Sequence, residues 1–180
     1  MSGHSKWANI KRKKEVTDAK KSKIFSKMSR LIAVAARNGS DPDSNAPLRI
    51  AVEKAKEARM PKENIDKAIA KGSGQGGSDS YSEAVYEGFG PSGEAFYITA
   101  LTDNRNRTVA EMRNIFSKAG GSLGGAGSTS YIFTPDPENP SYTMEISDKN
   151  YAAKLLSLLE ELDDHDDVQD VYVNFVLPED

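Results

Sequence analysis

The sequence contains no cysteine, and its only two histidines, His4 and His165, lie at opposite ends of a chain of 180 residues. The lack of cysteine excludes disulfides, thiolate chemistry and zinc sites built from cysteine. Histidine is the side chain that titrates nearest neutral pH, and neither an HExxH nor a GxSxG motif is present. The chain is therefore poor in groups that attack a substrate or transfer protons. We predict a protein that is not an enzyme and that needs no cofactor.

Long apolar runs are also missing. No stretch approaches the roughly 18 to 20 apolar residues that cross a bilayer, and no apolar segment typical of a secretion signal follows the basic start. With 37% hydrophobic and 28% charged residues, the composition is that of an ordinary soluble protein. We expect neither a membrane protein nor an exported one, and the absence of cysteine agrees with the reducing cytoplasm.

Charge is divided unevenly along the chain. Residues 1–71 hold 18 Lys and Arg against 8 Asp and Glu, whereas residues 72–180 hold 6 against 19, although the net charge is only -3. Such asymmetry indicates contact of the basic half with a nucleic acid or a membrane surface. The alternative is that the two halves neutralise each other by docking.

The sign of the charge changes at GSGQGGSDS, residues 72–80, whose glycine and serine content predicts a flexible linker. Before the linker, residues 17–71 carry apolar side chains at helical spacing. The pattern predicts three helices, the first ending at Asn38 and the others starting near Pro47 and Pro61. We therefore predict a three-helix bundle.

After the linker, residues 81–180 have strand periodicity interrupted by two helices. A capping box of Thr108 and Glu111 starts one helix, and the other starts at Asp148. Three prolines within 134–140 exclude regular structure there. The predicted strands lie at 84–89, 94–102, 128–133 and 168–177. The fold predicted is α+β, with the bundle joined to a mostly antiparallel four-stranded sheet and two helices.

Two further segments could be mistaken for ligand sites. The acidic run 160–170 fails as a calcium-binding EF-hand loop, because Val168 and Asn174 stand where Gly and Glu are needed. We interpret it as a solvated turn and predict no metal. The glycine-rich segment 120–128 lacks the Lys-Ser/Thr of a phosphate-binding loop and follows a helix instead of a strand, so we predict a flexible turn.

The segment DNRNRT, residues 103–108, is a second candidate for anion binding. It joins a strand to a helix, so Arg105 and Arg107 would flank free backbone N–H groups at the positive end of the helix. The alternative is that the Asp and Asn side chains only cap the helix while the arginines pair with surface acids. The spacing does not favour one over the other.

The opening stretch SGHSKWANIKRKK lies in a segment, residues 1–16, with too few apolar positions to fold alone, and we predict a basic arm ordered by contact. Each phosphate neutralised releases counterions, and Trp7 could stack on an unpaired base. The alternatives are a solvated helix face for the lysines, docking of Trp7 onto the bundle, and a cleaved organelle presequence. The candidate nucleic-acid-binding residues are Lys6, Trp7, Lys11, Arg12, Lys13, Lys14, Lys20, Lys21, Lys23, Lys27, Arg30, Arg105 and Arg107.

The motifs GHSKWANIKRKK, YEGFGPSGEAF and LTDNRNRTVAEMRNIFSKAGGSLG, together with most of the chain between them, resemble the YebC/PmpR family. That family includes proteins labelled transcriptional regulators and the mitochondrial translational activator of cytochrome oxidase. The resemblance implies a helical N-terminal domain followed by two α+β domains, contacts with DNA or with RNA and ribosomes in different members, and no established catalytic activity.

The resemblance also locates two motifs and one departure. The family's basic N-terminal motif matches Gly3 to Lys14, and its Asn-Arg motif matches Asn104 to Arg107. Where family members carry a third domain, this chain has only a short proline-rich bridge, residues 134–147, so that domain is expected to be missing.

Three functions follow as hypotheses. The first is a non-catalytic DNA-binding transcriptional regulator. The second is a ribosome-associated translation factor that binds ribosomal or transfer RNA through the same surface, because a contact dominated by phosphates suits structured RNA equally well. The third is an adaptor whose basic half docks on an acidic protein. None of the three requires a membrane.

Overall fold

The computed structural model describes residues 18–74 and 81–179, so the predicted arm and most of the predicted linker lie outside the described residues. The chain divides into two compact units. Among the described residues, the helical unit comprises 18–74, 81–82 and Leu101–Asp103, and the α+β unit comprises Glu83–Ala100 and 104–179. Among the helices of the described ranges, none combines the length and the apolar character that crossing a bilayer requires.

The helical unit contains α1 (Asp18–Ala36), α2 (Ala46–Glu57) and α3 (Lys62–Ser73). This confirms the predicted three-helix bundle. Its core is formed by residues on the apolar stripes of the three helices, chiefly Ile32, Ala36, Leu48, Ala51, Ala55, Ile65 and Ala68. Phe25, Met28 and Leu31 are half-buried at the edge of this core.

Asn45 fixes the entry to α2. Its side-chain oxygen accepts a hydrogen bond from the backbone N–H of Leu48 at 3.1 Å, as an N-cap residue does. Its amide group donates to the carbonyl oxygens of Ala35 and Gly39, both at 2.9 Å. One buried side chain therefore joins the end of α1 to the start of α2.

Gly72 lies in the segment predicted as a linker, but it is buried in the last turns of α3. A Cβ atom at this position would lie 2.1 Å from the carbonyl oxygen of Ala33 on α1. The close approach of the two helices therefore requires glycine at position 72, and α3 continues to Ser73.

The α+β unit is built around strands β1 (Ser82–Phe89), β2 (Ala95–Thr102), β3 (Ser122–Gly124) and β5 (Val168–Val173). These form a four-stranded sheet of order β3-β1-β2-β5, with β3 antiparallel to β1 and β5 antiparallel to β2. The remaining elements are α4 (Arg105–Lys118), the short α5 (Ser130–Phe133), β4 (Met144–Glu145), α6 (Lys149–Asp164) and β6 (Phe175–Val176). The predicted α+β class and the mostly antiparallel four-stranded sheet are confirmed.

Helices α4 and α6 pack their apolar side chains against the sheet. Phe96 of β2 and Phe116 of α4 are fully buried and meet edge to face, with ring centroids 5.3 Å apart. The core of the unit is completed by residues of both helices and of β5, chiefly Ile98, Met112, Leu155, Leu158, Leu159, Leu162, Val168, Val171 and Val173.

The third strand was predicted in the wrong place. Ser130–Phe133 forms the helix α5, and the strand β3 lies within the glycine-rich segment predicted as a flexible turn. The cause is Glu87 on β1, which is only 5% exposed and accepts hydrogen bonds from the backbone N–H groups of Gly127, Thr129 and Ser130. These bonds hold the turn and the start of α5 in a conformation that a strand cannot adopt.

The last strand, predicted over 168–177, is broken at Asn174. The side-chain oxygen of Asn174 accepts a hydrogen bond from the backbone N–H of Ala95 at 2.8 Å, and its backbone carbonyl accepts one from Met144 at 2.7 Å. The chain therefore leaves β2, and β6 pairs in parallel with β4 as a separate two-stranded sheet. Within the bridge 134–147, residues 134–140 form turns and irregular structure, as predicted. The strand β4 follows near the end of the bridge.

Candidate nucleic-acid interface

The lysines at the start of α1 are part of the predicted interface, and they lie within the described residues. Lys20, Lys21 and Lys23 are exposed, and Lys27 is half-exposed. The predicted contacts of the arm lie outside the described residues, namely Lys6, Trp7, Lys11, Arg12, Lys13 and Lys14.

Arg30, further along α1, is half-buried and has structural contacts within the helical unit. Its guanidinium group donates a hydrogen bond to the backbone carbonyl of Leu101 at 2.8 Å. It also lies over the ring of Tyr81, 4.4 Å from the ring centroid, in a cation–π contact. Arg30 is therefore held in a fixed orientation beside an aromatic ring.

A groove of about 580 Å³ lies beside Arg30, between α1 and α3. All the residues that line it belong to the helical unit. Helix α1 contributes three serines at positions i, i+4 and i+7, and α3 contributes polar side chains at i, i+3 and i+7, so each set lies on one helix face. The lining residues are Ser22, Phe25, Ser26, Ser29, Arg30, Ala33, Asn64, Lys67, Ala68, Lys71 and Tyr81.

The groove is positively charged. Its lining contains three cationic side chains and no Asp or Glu. Glu63, outside the lining, forms an ion pair with Lys67 at 2.9 Å, with the two side chains 76% and 72% exposed. An ion pair this exposed contributes only about 0 to 1 kcal/mol, so an incoming anion can replace it easily.

The groove residues on α3 and Tyr81 were absent from the predicted interface. A signal was present in the sequence, because Asn64, Lys67 and Lys71 follow the helical period beside the buried positions Ile65 and Ala68. That period indicates a polar face, but it does not tell which helix that face meets.

The Asn-Arg motif forms the start of α4. The side chain of Asn104 accepts a hydrogen bond from the backbone N–H of Arg107 at 3.0 Å, so Asn104 is the N-cap. The predicted capping box at Thr108 is therefore wrong, because the helix begins at Arg105. The hydroxyl oxygen of Thr108 instead lies 3.0 Å from the backbone carbonyl oxygen of Asn104.

Both arginines of the motif contact groups of the α+β unit. Arg105 donates to the backbone carbonyl of Glu83 at 2.5 Å. Arg107 forms an ion pair with Asp167 at 2.8 Å, and its side chain is 42% exposed whereas that of Asp167 is only 3% exposed. These contacts agree with the interpretation in which Asn104 caps the helix and the arginines pair with nearby groups.

Asp167 is the centre of a buried polar cluster. Besides Arg107, it accepts a hydrogen bond from the hydroxyl of Thr108 at 2.7 Å. Tyr86 lies in the same cluster. Burial raises the pKa of Tyr86; Arg105 opposes the increase, Asp167 adds to it, and a hydrogen bond with Thr108 opposes it. The cluster therefore anchors the start of α4 to the turn before β5.

Glu111, His165 and Asp167 bring three possible metal ligands within 4.8 Å of one another. Their hydrogen bonds do not fit a metal site. The His165 ring accepts the backbone N–H of Asp167 at Nδ1 and faces Glu111 with Nε2, so Nε2 carries the proton. The Asp167 carboxylate is already paired with the guanidinium of Arg107.

Comparison with known proteins identifies relatives of both units. A model described as the TACO1/YebC protein N-terminal domain matches residues 5–75, and one described as the TACO1/YebC second and third domain matches residues 81–136. A "Probable transcriptional regulatory protein" of a Synechococcus strain is 44% identical over an alignment of 242 positions, which covers 99% of this chain and 97% of that protein. A protein of the same name from Dictyoglomus thermophilum is 40% identical with the same coverage.

A similar structure is also known. The crystal structure of a conserved hypothetical protein from Aquifex aeolicus matches with a TM-score of 0.81 and 33% sequence identity, covering 93% of this chain and 95% of that chain. The helical bundle lies within the residues that the first of the two domain models matches, and the α+β unit begins within those that the second matches. The chain belongs to the TACO1/YebC family.

Proposed function

We propose that this protein is a non-catalytic nucleic-acid-binding regulator, acting in the cytoplasm as a DNA-binding transcriptional regulator. The observation that carries the proposal is the distribution of charge between the two units. Residues 18–74, in the helical unit, hold 13 Lys and Arg against 7 Asp and Glu, whereas residues 81–179 hold 6 against 17. The names of the relatives, which describe transcriptional regulatory proteins, support the same conclusion.

The physical basis is the release of counterions. Each phosphate that a lysine neutralises frees condensed cations, so binding becomes stronger at low salt and weakens with a slope set by the number of contacts. The exposed Lys20, Lys21 and Lys23 provide such contacts at the start of α1. The acidic α+β unit repels the same polyanion, which limits binding to the basic face.

Arg107 makes a secondary contact in this proposal. Its side chain is 42% exposed although it is paired with Asp167. A guanidinium group has five N–H donors, so it can hold a carboxylate on one side and a phosphate oxygen on another. We expect this contact to contribute less than the lysines, because Asp167 offsets its charge.

The test measures binding of the full chain to duplex DNA by fluorescence anisotropy at several salt concentrations. Neutralising Lys11, Arg12, Lys13 and Lys14 together should weaken binding and reduce the magnitude of the slope of log K against log salt by about 3.6. Replacing Lys118, Lys149 and Lys154 of the α+β unit is the control and should change little. An unchanged slope in the first variant would contradict a role for the arm.

The alternative is a translation factor that uses the same basic face on ribosomal or transfer RNA. Phosphate contacts carry no sequence information, and structured RNA is recognised largely through backbone and shape. Sedimentation of cell lysate separates the two. Comigration with ribosomes that survives DNase but not RNase would favour translation, whereas recovery of discrete promoter fragments with the purified protein would favour transcription.

A further inference from the structure

We propose that the groove between α1 and α3 binds an unpaired segment of nucleic acid, with phosphates at its basic wall and a base against its aromatic side chains. The inference rests on the proposed function and extends it, because it names the surface and the form of the nucleic acid. The volume of about 580 Å³ lies within the range of pockets that enclose small organic ligands.

The α3 wall of the groove supplies the charge. Lys67 and Lys71 are one helical turn apart, so their ammonium groups point along the same face. The ion pair of Lys67 with Glu63 is exposed at both side chains, and a phosphate can take the place of the carboxylate at little cost.

The α1 wall supplies neutral donors. Ser22, Ser26 and Ser29 line the groove from one face of the helix, opposite the basic wall. A hydroxyl group donates one hydrogen bond, and serine is a common partner of phosphate and sugar oxygens. A strand in the groove would therefore meet hydrogen-bond donors on one side and ammonium groups on the other.

Two aromatic side chains provide surfaces for a base. Phe25 and Tyr81 line the groove, and both are half-buried. The guanidinium of Arg30 lies 4.4 Å above the Tyr81 ring and is oriented by the carbonyl of Leu101. Unstacked bases pack on aromatic rings and on arginine guanidinium planes alike, so a base can stack on the Arg30–Tyr81 pair.

This combination favours single strands over duplexes. Within a duplex, each base face is covered by the next base pair, so the aromatic rings of the groove find no free base face on which to stack. An unpaired base exposes both faces, and its stacking is tolerant of sequence. The groove therefore favours a single strand, a loop or an end.

The experiment uses the full chain and fluorescein-labelled strands of about 20 nucleotides, longer than the roughly 4 to 16 that one single-strand-binding module covers. Oligo-dT, oligo-U, an abasic strand with the same phosphates, and a duplex are titrated by anisotropy across a range of salt. The double variant Lys67→Ala, Lys71→Ala is compared with Lys54→Ala, Lys56→Ala, which removes the same charge from exposed positions of α2 outside the groove.

The groove variant should lose about 1.4 from the magnitude of the salt slope on a single strand, since two phosphate contacts disappear at about 0.7 each. The α2 control should keep the slope of the unmodified protein. The abasic strand should bind between about fivefold and about 150-fold more weakly than the better of oligo-dT and oligo-U, because one stacked base is lost.

Three results would overturn the inference while leaving the proposed function standing: equal weakening in the two double variants, equal affinity for abasic and normal strands, or tighter binding of the duplex than of either single strand. Failure of the unmodified protein to bind any of the four probes would reject the proposed function together with the groove. Circular dichroism of both double variants is recorded as well, and their salt slopes are compared only if the helical signal is retained.

Discussion

Replacing Glu87 with glutamine should destabilise the α+β unit in a pH-dependent way. The Glu87 carboxylate is 5% exposed and accepts four hydrogen bonds, three from backbone N–H groups at 2.5 to 2.9 Å and one from the hydroxyl of Thr129 at 3.2 Å. Glutamine retains a single acceptor oxygen and turns an NH₂ group toward N–H donors. Since hydrogen bonds to a charged group contribute about 1.5 to 3 kcal/mol, we expect a loss of about 2 to 3 kcal/mol at neutral pH.

The pH dependence follows from the pKa of Glu87. Burial raises this pKa, but the hydrogen bonds outweigh burial, so the pKa in the folded protein lies below its usual value of 4.5. A lowered folded-state pKa adds stability above about pH 4.5, and this stability is lost as the pH falls through the folded-state pKa. The difference between the unmodified protein and the variant should therefore be full at pH 7 and shrink below about pH 4.5.

The assay is urea unfolding followed by circular dichroism at neutral and acidic pH, together with amide hydrogen exchange at Thr129 and Ser130. These amides are bound to Glu87 and should lose protection in the variant. Glu83→Gln, an exposed change on the same strand, is the control and should alter neither quantity. A stability difference that stays constant with pH, or unchanged exchange at both amides, would refute the reasoning.

Three further predictions concern helix packing, a helix cap and an ion pair, each measured by urea unfolding. Gly72→Ala places a Cβ 2.1 Å from the backbone of α1, and we expect it to lower the free energy of unfolding by about 1 to 3 kcal/mol or more. Gly125→Ala is the control and should cost less, because the space around the new atom is open. Equal losses in the two variants would contradict the close approach of the helices. Asn45→Ala removes an N-cap and two other hydrogen bonds, so it should lower the free energy of unfolding by more than about 1 kcal/mol. A smaller loss would contradict the role of Asn45. A double-mutant cycle of Arg107→Met and Asp167→Asn should give a coupling energy of about 0.5 to 3 kcal/mol, and additive losses would mean that the pair does not act together.

The short bridge between α5 and α6 bears on how this chain differs from its relatives. The alignment with the Synechococcus relative extends over 242 positions, more than the 180 residues of this chain, so that protein carries residues that have no counterpart here. The match to the second-and-third-domain model ends at residue 136, inside the bridge. The α+β unit nonetheless has a complete sheet and core, because the last helix and strand return to β2 after the bridge.

Much of the architecture followed from local pattern. The apolar stripes of the three helices and the helix starting after Asp148 depend on residues three or four positions apart, and the structure confirms them. The start of α4 was misplaced by four residues, because the N-cap is Asn104 and not the predicted Thr108. Asn and Thr can both cap a helix, so the sequence offers two possible starts; in the structure Asn104 caps α4, and the Thr108 hydroxyl donates to Asp167 instead.

The candidate site divides in the same way. The excess of lysine toward the N-terminus and the regular spacing of polar residues on α1 are properties of the chain itself, readable without any coordinates. The groove exists only because α1 and α3 meet along one pair of faces, which glycine at position 72 allows. Similarly, the placement of β3 and α5 depends on a carboxylate 40 to 43 residues away in sequence. Helical period and local charge depend on residues a few positions apart, so the sequence determines them. Burial of a carboxylate and the contact of two helix faces bring together residues that are distant in sequence, and only the tertiary structure decides which ones meet.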